Sequence, residues 1–370
     1  MTERARLDYP ERFRGLFTEV RAEYVPLLED ARDELSTLSI PGELRPFFDY
    51  VVRDNPQPSF MLLPLLFLFT AEQSGGISAA HRRYLPVMML GMEIVAICDD
   101  TVDRTPSRSG RPTFPARFGE GSSTPFTAAL MAMVAERARR VDARILEVTM
   151  RFFVDLFANE LWERHHLYPG PELFDRWLGH RYRQSEEGAS FALNTALLLN
   201  DRAPLSTDAT AAFGRVFQDV DDVVSLLEER DAQGENDDVT MGMVTRPLLD
   251  ALAARPALLE ELLELWTVSR ALGLASIADQ ARERERLGAT IAARAHPILA
   301  SIVELGVPKV VERVLQDCRA CVEASPPSLR RVTRRMTSTF ADRLRRCGTR
   351  ELLSEDQIAA AFDDLEGAQW

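Results

Sequence analysis

Apolar residues recur at intervals of three and four along almost the whole chain, a period that builds helices with one buried face and excludes the alternation of a half-buried strand. Two of these apolar runs, Leu85 to Ile97 and Ala211 to Phe217, lead into clusters of aspartate: Asp99-Asp100-Thr101-Val102-Asp103 and Asp221-Asp222-Val223-Val224-Ser225-Leu226-Leu227-Glu228-Glu229. Residues four apart on a helix share a face, so Asp99 and Asp103 point one way, as do Asp221, Ser225 and Glu229. A set of oxygen ligands without sulfur or imidazole suits a hard cation such as Mg²⁺, which completes its shell with water and phosphate oxygens. One acidic cluster is usually a solvated helix face. Two at the ends of buried runs raise each other's pKa values unless a cation sits among them. They read as the two walls of a site for Mg²⁺ and a diphosphate, with Asp99, Asp100, Asp103, Asp221, Ser225 and Glu229 as metal ligands, and Asp99, Asp103 and Asp221 indispensable for catalysis.

The rest of the sequence narrows the class further. At 370 residues and 46% apolar content the chain can bury a large core. The period predicts an all-α protein, with long helices near 79–103, 140–165, 172–200 and 207–230 and polar Gly/Pro loops at 104–125, 166–171, 201–206 and 231–246. A single helical domain over 1–330 is expected, with a helical tail over 331–370 packed on it. The net charge of −13 argues against nucleic acid or an anionic membrane surface as partner, and an anionic substrate would need metal to be held. The longest apolar stretch, Phe60 to Phe69, contains Pro64 and is too short to span a bilayer, so no membrane insertion is expected. The first residues lack a signal peptide's basic start and apolar run, and a cytoplasmic location is the expectation. Cysteines at 98, 318, 321 and 347 make no disulfide framework and no zinc spacing.

Several motifs resemble those of the trans-polyprenyl diphosphate synthases. Ile97-Cys98-Asp99-Asp100-Thr101-Val102-Asp103, followed by Arg108-Ser109-Gly110-Arg111-Pro112-Thr113, is similar to their first aspartate motif, and Phe217-Gln218-Asp219-Val220-Asp221-Asp222 to their second. Leu62 to Glu72 and Asp238 to Leu249 echo two further stretches in family order, so the resemblance covers roughly 40–320. It implies the isoprenoid synthase (terpenoid synthase) fold, a bundle of long helices around a deep apolar cavity with the two motifs facing each other at its mouth. It also implies three Mg²⁺ ions bridging the aspartates to an allylic prenyl diphosphate, which ionises to a carbocation. Arg108 matches the family's loop arginine that contacts this diphosphate. Arg183 is a second candidate, because it precedes Gln184 to Ser190, where small residues could break a helix as terpene synthases do. Arg246 and Arg181 are further candidates. Ile94 and Val95 stand where the family sets product length. The family often forms homodimers, an assembly the resemblance leaves open here.

The departures from the family pattern bear on which reaction occurs. Elongating members bind a second substrate, isopentenyl diphosphate, with one lysine and two arginines. Here the Gly-Lys-x-x-Arg stretch reads Ser59-Phe60-Met61-Leu62-Leu63, the second loop arginine is Ser109, and a diphosphate-binding lysine is replaced by Met243. Only Lys309 is a lysine in the whole chain, yet these positions hold no arginine either. Losing three charge-assisted hydrogen bonds at about 1.5–3 kcal/mol each weakens acceptor binding by roughly 10³ to 10⁶-fold. The second motif, Asp-Asp-x-x-Ser-x-x-x-Glu, resembles instead the metal-binding triad of class I terpene synthases, with Asp221, Ser225 and Glu229 as its ligands. The leading expectation is a class I terpene synthase, a cyclase on a polyprenyl-synthase-like scaffold, with Phe60, Val95, Phe153, Phe157, Phe191 and Phe217 as candidate cavity walls. Each of these is more often plain core packing. The alternatives are a prenyltransferase with an unfamiliar acceptor site and a catalytically silent synthase subunit.

Overall fold

The three-and-four period folds as it predicts. The computed structural model describes residues 18–54, 62–108, 110–228 and 237–325, with scattered positions between 329 and 345. Phe60, Ser109 and Glu229 lie outside the described residues. Fourteen helices can be numbered among these: α1 (Thr18–Ser36), α2 (Arg45–Asp49), α3 (Leu62–Ser74), α4 (Ala79–Val102), α5 (Phe114–Phe118), α6 (Glu120–Val141), α7 (Ala143–His165), α8 (Phe174–Leu199), α9 (Thr207–Glu228), α10 (Asp237–Thr240), α11 (Arg246–Ala254), α12 (Leu258–Leu274), α13 (Ile277–Ser301) and α14 (Val307–Ala324). The described strands are a two-residue hairpin, β1 (Ser107–Arg108) against β2 (Arg111–Pro112). The class is all-α.

The chain separates into two compact units, Met1–Phe157 with Gly188–Pro204 and Ala158–Glu187 with Leu205–Trp370. It passes from one to the other inside α7, inside α8 and between Pro204 and Leu205.

The first unit is built on two helices that are apolar nearly all round and therefore buried. Every residue of α3 from Leu65 to Ala71 is buried, and so is every residue of α4 from Tyr84 to Ile97. Ser78 fixes where α4 begins: its hydroxyl accepts from the His81 backbone N–H, and His81 Nδ1 reaches back to the Ser78 backbone N–H at 3.1 Å. The other imidazole nitrogen of His81 meets the Ala196 carbonyl at 3.1 Å, so the cap also ties α4 to α8. Tyr84 Oη lies 2.7 Å from Thr149 Oγ1, and Asn200 Nδ2 donates to the Ala71 carbonyl and to Ser74 Oγ at 2.9 Å each. These bonds satisfy polar groups that burial would otherwise leave costly.

In the second unit α9 and α14 pack along apolar stripes, with Val216, Val220, Val223 and Val224 on one and Val307, Val310, Val311, Val314, Cys318, Cys321 and Val322 on the other. The two cysteines are core residues, and burial pushes the Cys321 thiol up to about 12. Trp266 Nε1 donates to the Val239 carbonyl at 2.7 Å, while the Tyr168 backbone N–H donates to the Gly242 carbonyl at 3.0 Å. Gly242 has φ of 79°, and a Cβ there would meet the Tyr168 ring at 2.4 Å, so both backbone and space require glycine. Of the tail expected over 331–370 only scattered positions are described, among them Phe340, which meets Phe213 and Phe217 edge-on.

Three expectations fail. Within the loop expected over 231–246, Asp237–Thr240 form α10. The stretch 104–125 is not all loop: Thr113 caps α5 through Ala116, and α6 starts at Glu120 directly after Gly119. Nor does α8 break at 184–190; it runs unbroken from Phe174 to Leu199. The close approach along it is made by a glycine of α9. A Cβ on Gly214 of α9 would lie 2.5 Å from the Glu186 nitrogen, so α9 presses directly on the α8 backbone there. Gly214→Ala should therefore destabilise the protein by about 1–3 kcal/mol, as overpacking of a tight contact does. Urea unfolding measures this, and a loss under about 0.5 kcal/mol would show slack between the helices.

Candidate active site

The first acidic stretch occupies the end of α4, where the Asp103 N–H closes the helix on the Asp99 carbonyl at 2.8 Å and Arg104, at φ of 56°, ends it. A helix C-terminus is the negative end of its dipole, so three carboxylates here add like charge to like. Arg108 answers them from β1. Its Nε and Nη2 donate to Asp100 Oδ1 at 3.0 and 2.7 Å, and Nη2 also donates to Asp99 Oδ2. Asp100 is buried, its side chain only 2% exposed, whereas Asp99 and Asp103 are partly exposed. Burial pushes the Asp100 carboxyl up to about 6, against the pull of Arg108. Burial also disfavours the Arg108 cation, but Asp99 and Asp100 outweigh it and hold the guanidinium firmly protonated.

The hairpin that carries Arg108 is pinned at both ends. The Thr105 N–H donates to the Asp100 carbonyl at 3.0 Å and Thr113 Oγ1 to the Thr105 carbonyl at 2.6 Å. On the other side Tyr50 Oη donates to the Pro112 carbonyl at 2.6 Å and Arg111 Nη1 to the Asp54 carbonyl at 2.8 Å.

The second acidic stretch lies in α9 and repeats this division of labour with different partners. Asp221 and Ser225 are partly exposed on one face, and Asp222 is buried on another. Arg181 of α8 donates from Nε to Asp222 Oδ1 at 2.9 Å and from Nη2 to Asp238 Oδ2 at 2.7 Å. Gln218 Nε2 donates to the same Asp222 oxygen at 2.6 Å, and Gln218 Oε1 accepts from Ser185 Oγ at 2.6 Å. Burial raises Asp222 to about 6, with Arg181 opposing.

Asp219 and Tyr182 form a contact that no sequence motif singled out. Tyr182 Oη donates to Asp219 Oδ1 at 2.6 Å, while Asp219 Oδ2 is buried without a hydrogen-bond partner. Burial raises Asp219 to about 7. One signal was available: Asp219 falls on the buried stripe of α9 that also carries Val216, Val220 and Val223, where a carboxylate needs a partner.

The other candidates scatter. Arg183 is exposed, with its charge near Glu186. Arg246 lies 3.3 Å from Asp250, which Arg313 also holds at 3.1 Å. Val95 is buried; Phe153 stacks on Phe157 at 5.7 Å and Phe191 on Phe152 at 4.2 Å, while the half-buried Phe217 meets Phe340 at 5.6 Å. Among the described residues no three His, Cys, Asp or Glu side chains converge as a ready metal cage. The chemistry of the donors still fits Mg²⁺. Asp99 and Asp103 carry side-chain oxygens one turn apart and partly exposed, as do Asp221 and Ser225, and Mg²⁺ needs few protein ligands when water and phosphate supply the rest.

The sequence model of the polyprenyl synthetase family matches residues 89–273, half of the chain, and spans both acidic stretches. The chain belongs to the polyprenyl synthetase family. Solved structures agree on the fold. A geranylgeranyl pyrophosphate synthase from Lactobacillus brevis superposes with a TM-score of 0.69 at 16% identity, covering 89% of this chain and 99% of that one. A polyprenyl synthase from Caulobacter crescentus, solved with calcium and isoprenyl diphosphate, gives 0.62 at 16% identity over 89% and 96%. A polyprenyl synthetase from Streptomyces coelicolor gives 0.61 at 20% identity over 89% and 98%. No curated protein matches significantly in sequence. The fold of this family member is thus the isoprenoid synthase fold, and none of its described helices is long and apolar enough to cross a membrane.

The raised carboxyls make a pH prediction with a definite sign. A folded-state pKa above the unfolded value of 3.8 means that the native state holds its proton more tightly, so this contribution to stability is complete below that value and is lost as pH rises through about 6 to 7. In metal-free protein, Asp219→Asn should gain stability over the parent by about 1–3 kcal/mol between pH 5.5 and 8.5. Urea unfolding at both pH values checks this; a difference independent of pH would show that Asp219 does not titrate in that window.

Proposed function

We propose that this polyprenyl synthetase family member processes a prenyl diphosphate with Mg²⁺, and that it ionises an allylic diphosphate without a second substrate, as a class I terpene synthase does. The observation that carries the finer reading is the loss of the acceptor's cations, since Phe60, Leu63 and Ser109 stand where the family places lysine and arginine. The remaining loop arginine, Arg108, is engaged with Asp99 and Asp100. Asp221, Ser225 and Glu229 supply the terpene-synthase-like pattern in place of a second full Asp-Asp-x-x-Asp.

The residues that would hold Mg²⁺ are Asp99 and Asp103 of the first acidic stretch and Asp221, Ser225 and Glu229 of the second. Bound metal supplies Lewis-acid stabilisation of the departing diphosphate's charge. Arg108 offers the diphosphate a planar guanidinium with paired donors. Phe153 and Phe157 offer aromatic faces that attract a carbocation and exclude water from it.

Elongation is the second reading, and family membership favours it at least as well. The neighbours are named as geranylgeranyl, decaprenyl and heptaprenyl diphosphate synthases, and condensation with isopentenyl diphosphate would require acceptor-binding arginines at positions unlike theirs.

Product analysis by mass spectrometry separates the two. Purified protein is incubated with Mg²⁺ and prenyl diphosphates of ten to twenty-five carbons, with and without isopentenyl diphosphate. The expected product is a hydrocarbon or alcohol formed without the acceptor, reduced at least about 100-fold by Asp99→Ala or Asp221→Ala. Longer diphosphates formed only with the acceptor would establish elongation.

A further inference from the structure

We propose that the second unit holds a monovalent cation, potassium or sodium, on the buried side of α9, between Asp219 and Asp222. The site lies on a different face of the helix from Asp221 and Ser225 and is independent of the reaction proposed above.

Two oxygens without donors mark the place. Asp219 and Asp222 are three residues apart, so they share a face of α9, and both are buried, at 1% and 3% exposure. Each is satisfied through one oxygen only. Tyr182 Oη of α8 donates to Asp219 Oδ1 at 2.6 Å, while Arg181 Nε and Gln218 Nε2 both donate to Asp222 Oδ1, at 2.9 and 2.6 Å. The other oxygens, Asp219 Oδ2 and Asp222 Oδ2, are closed off from solvent and have no hydrogen-bond partner. A buried carboxylate oxygen without a partner is costly, and native proteins supply such places with ordered water or an ion.

Charge selects an ion over water. Arg181 is shared between Asp222 and Asp238. Arg313 of α14 is the basic group whose charge reaches Asp219, but it pairs with Asp250 at 3.1 Å and makes no ion pair with Asp219. Asp317 of the same helix adds a further negative charge. Asp219 is thus the carboxylate left without a matching charge, and one positive charge restores the balance. Access selects a monovalent ion. Mg²⁺ sheds its waters reluctantly, which suits the partly exposed Asp221 and Ser225 rather than two oxygens closed off from solvent. Tyr182 Oη, whose proton goes to Asp219, keeps lone pairs that can serve as a third oxygen ligand. The ion is structural: it relieves the repulsion between two carboxylates on the covered side of the helix that presents Asp221 and Ser225 on another.

Thermal unfolding of the full chain at pH 8.5 tests this. The buffer and its EDTA are tetramethylammonium salts, no diphosphate is present, and potassium, sodium or choline chloride is added at the same concentration of about 100 mM, so that general screening is equal. Relative to choline, potassium or sodium should raise the midpoint of the parent by about 2 °C or more. Asp219→Asn, expected above to be the more stable protein without metal, should lose this response, whereas Asp99→Asn and Asp221→Asn should keep it. A parent that does not distinguish either ion from choline, or an Asp219→Asn protein that responds as the parent does, would overturn the proposal. So would a response lost in Asp221→Asn or Asp99→Asn, which would put the ion on the accessible aspartates. With neither Mg²⁺ nor prenyl diphosphate present, failure here leaves the terpene synthase reading untouched, and failure of that reading in product analysis leaves this site standing.

Discussion

Carboxylates gathered at the end of a buried helix set the problem that the surrounding structure solves. Asp99, Asp100 and Asp103 sit at the C-terminus of α4, whose core stretch is buried from Tyr84 to Ile97. Burial, and the Asp99 charge beside it, oppose ionisation of Asp100 there. A cation is required, and the hairpin after α4 exists to deliver one. Its short strands, its Thr105 and Thr113 hydrogen bonds and its ties to Tyr50 and Asp54 all position Arg108.

The second unit meets a similar demand in the interior of α9. Arg181 bridges Asp222 and Asp238, and Gln218 and Ser185 extend the network. In both stretches the second aspartate of the pair is buried and held by arginine, and the first stays accessible. Arginine suits this work better than lysine, since its planar fork engages two acceptors at once and it stays charged when buried. With Lys309 the sole lysine, the chain uses the guanidinium wherever it needs a buried cation. Asp219 is the exception, matched by a tyrosine hydroxyl and left with a carboxyl that burial pushes up to about 7.

Much of this was legible along the chain. The helical period marked α4, α7, α8 and α9 to within a few residues, and the i, i+4 spacing placed Asp99 with Asp103 and Asp221 with Ser225. The stretch after α4 was less legible: its glycines and prolines suggested loop to 125, yet Thr113 and Gly119 start two helices inside it. The small residues of 184–190 suggested a helix break because composition cannot distinguish a kink from a close contact. The helix in fact runs unbroken from Phe174 to Leu199, and the tight contact there is made by Gly214 of α9 against the Glu186 backbone. Arg181 looked like one diphosphate candidate among several; only the packing of α8 on α9 shows that its guanidinium is already spoken for by Asp222 and Asp238.

By itself the sequence determined the helical class, the two acidic stretches and the oxygen-only chemistry of their side chains, because period and spacing are properties of neighbouring residues. Only the tertiary structure decided which aspartate of each pair is buried, which arginine neutralises it and which carboxylate remains accessible. The reason is physical: spacing assigns a residue to a helix face, but what packs on that face comes from segments tens of residues away, and burial and ion pairing are set there.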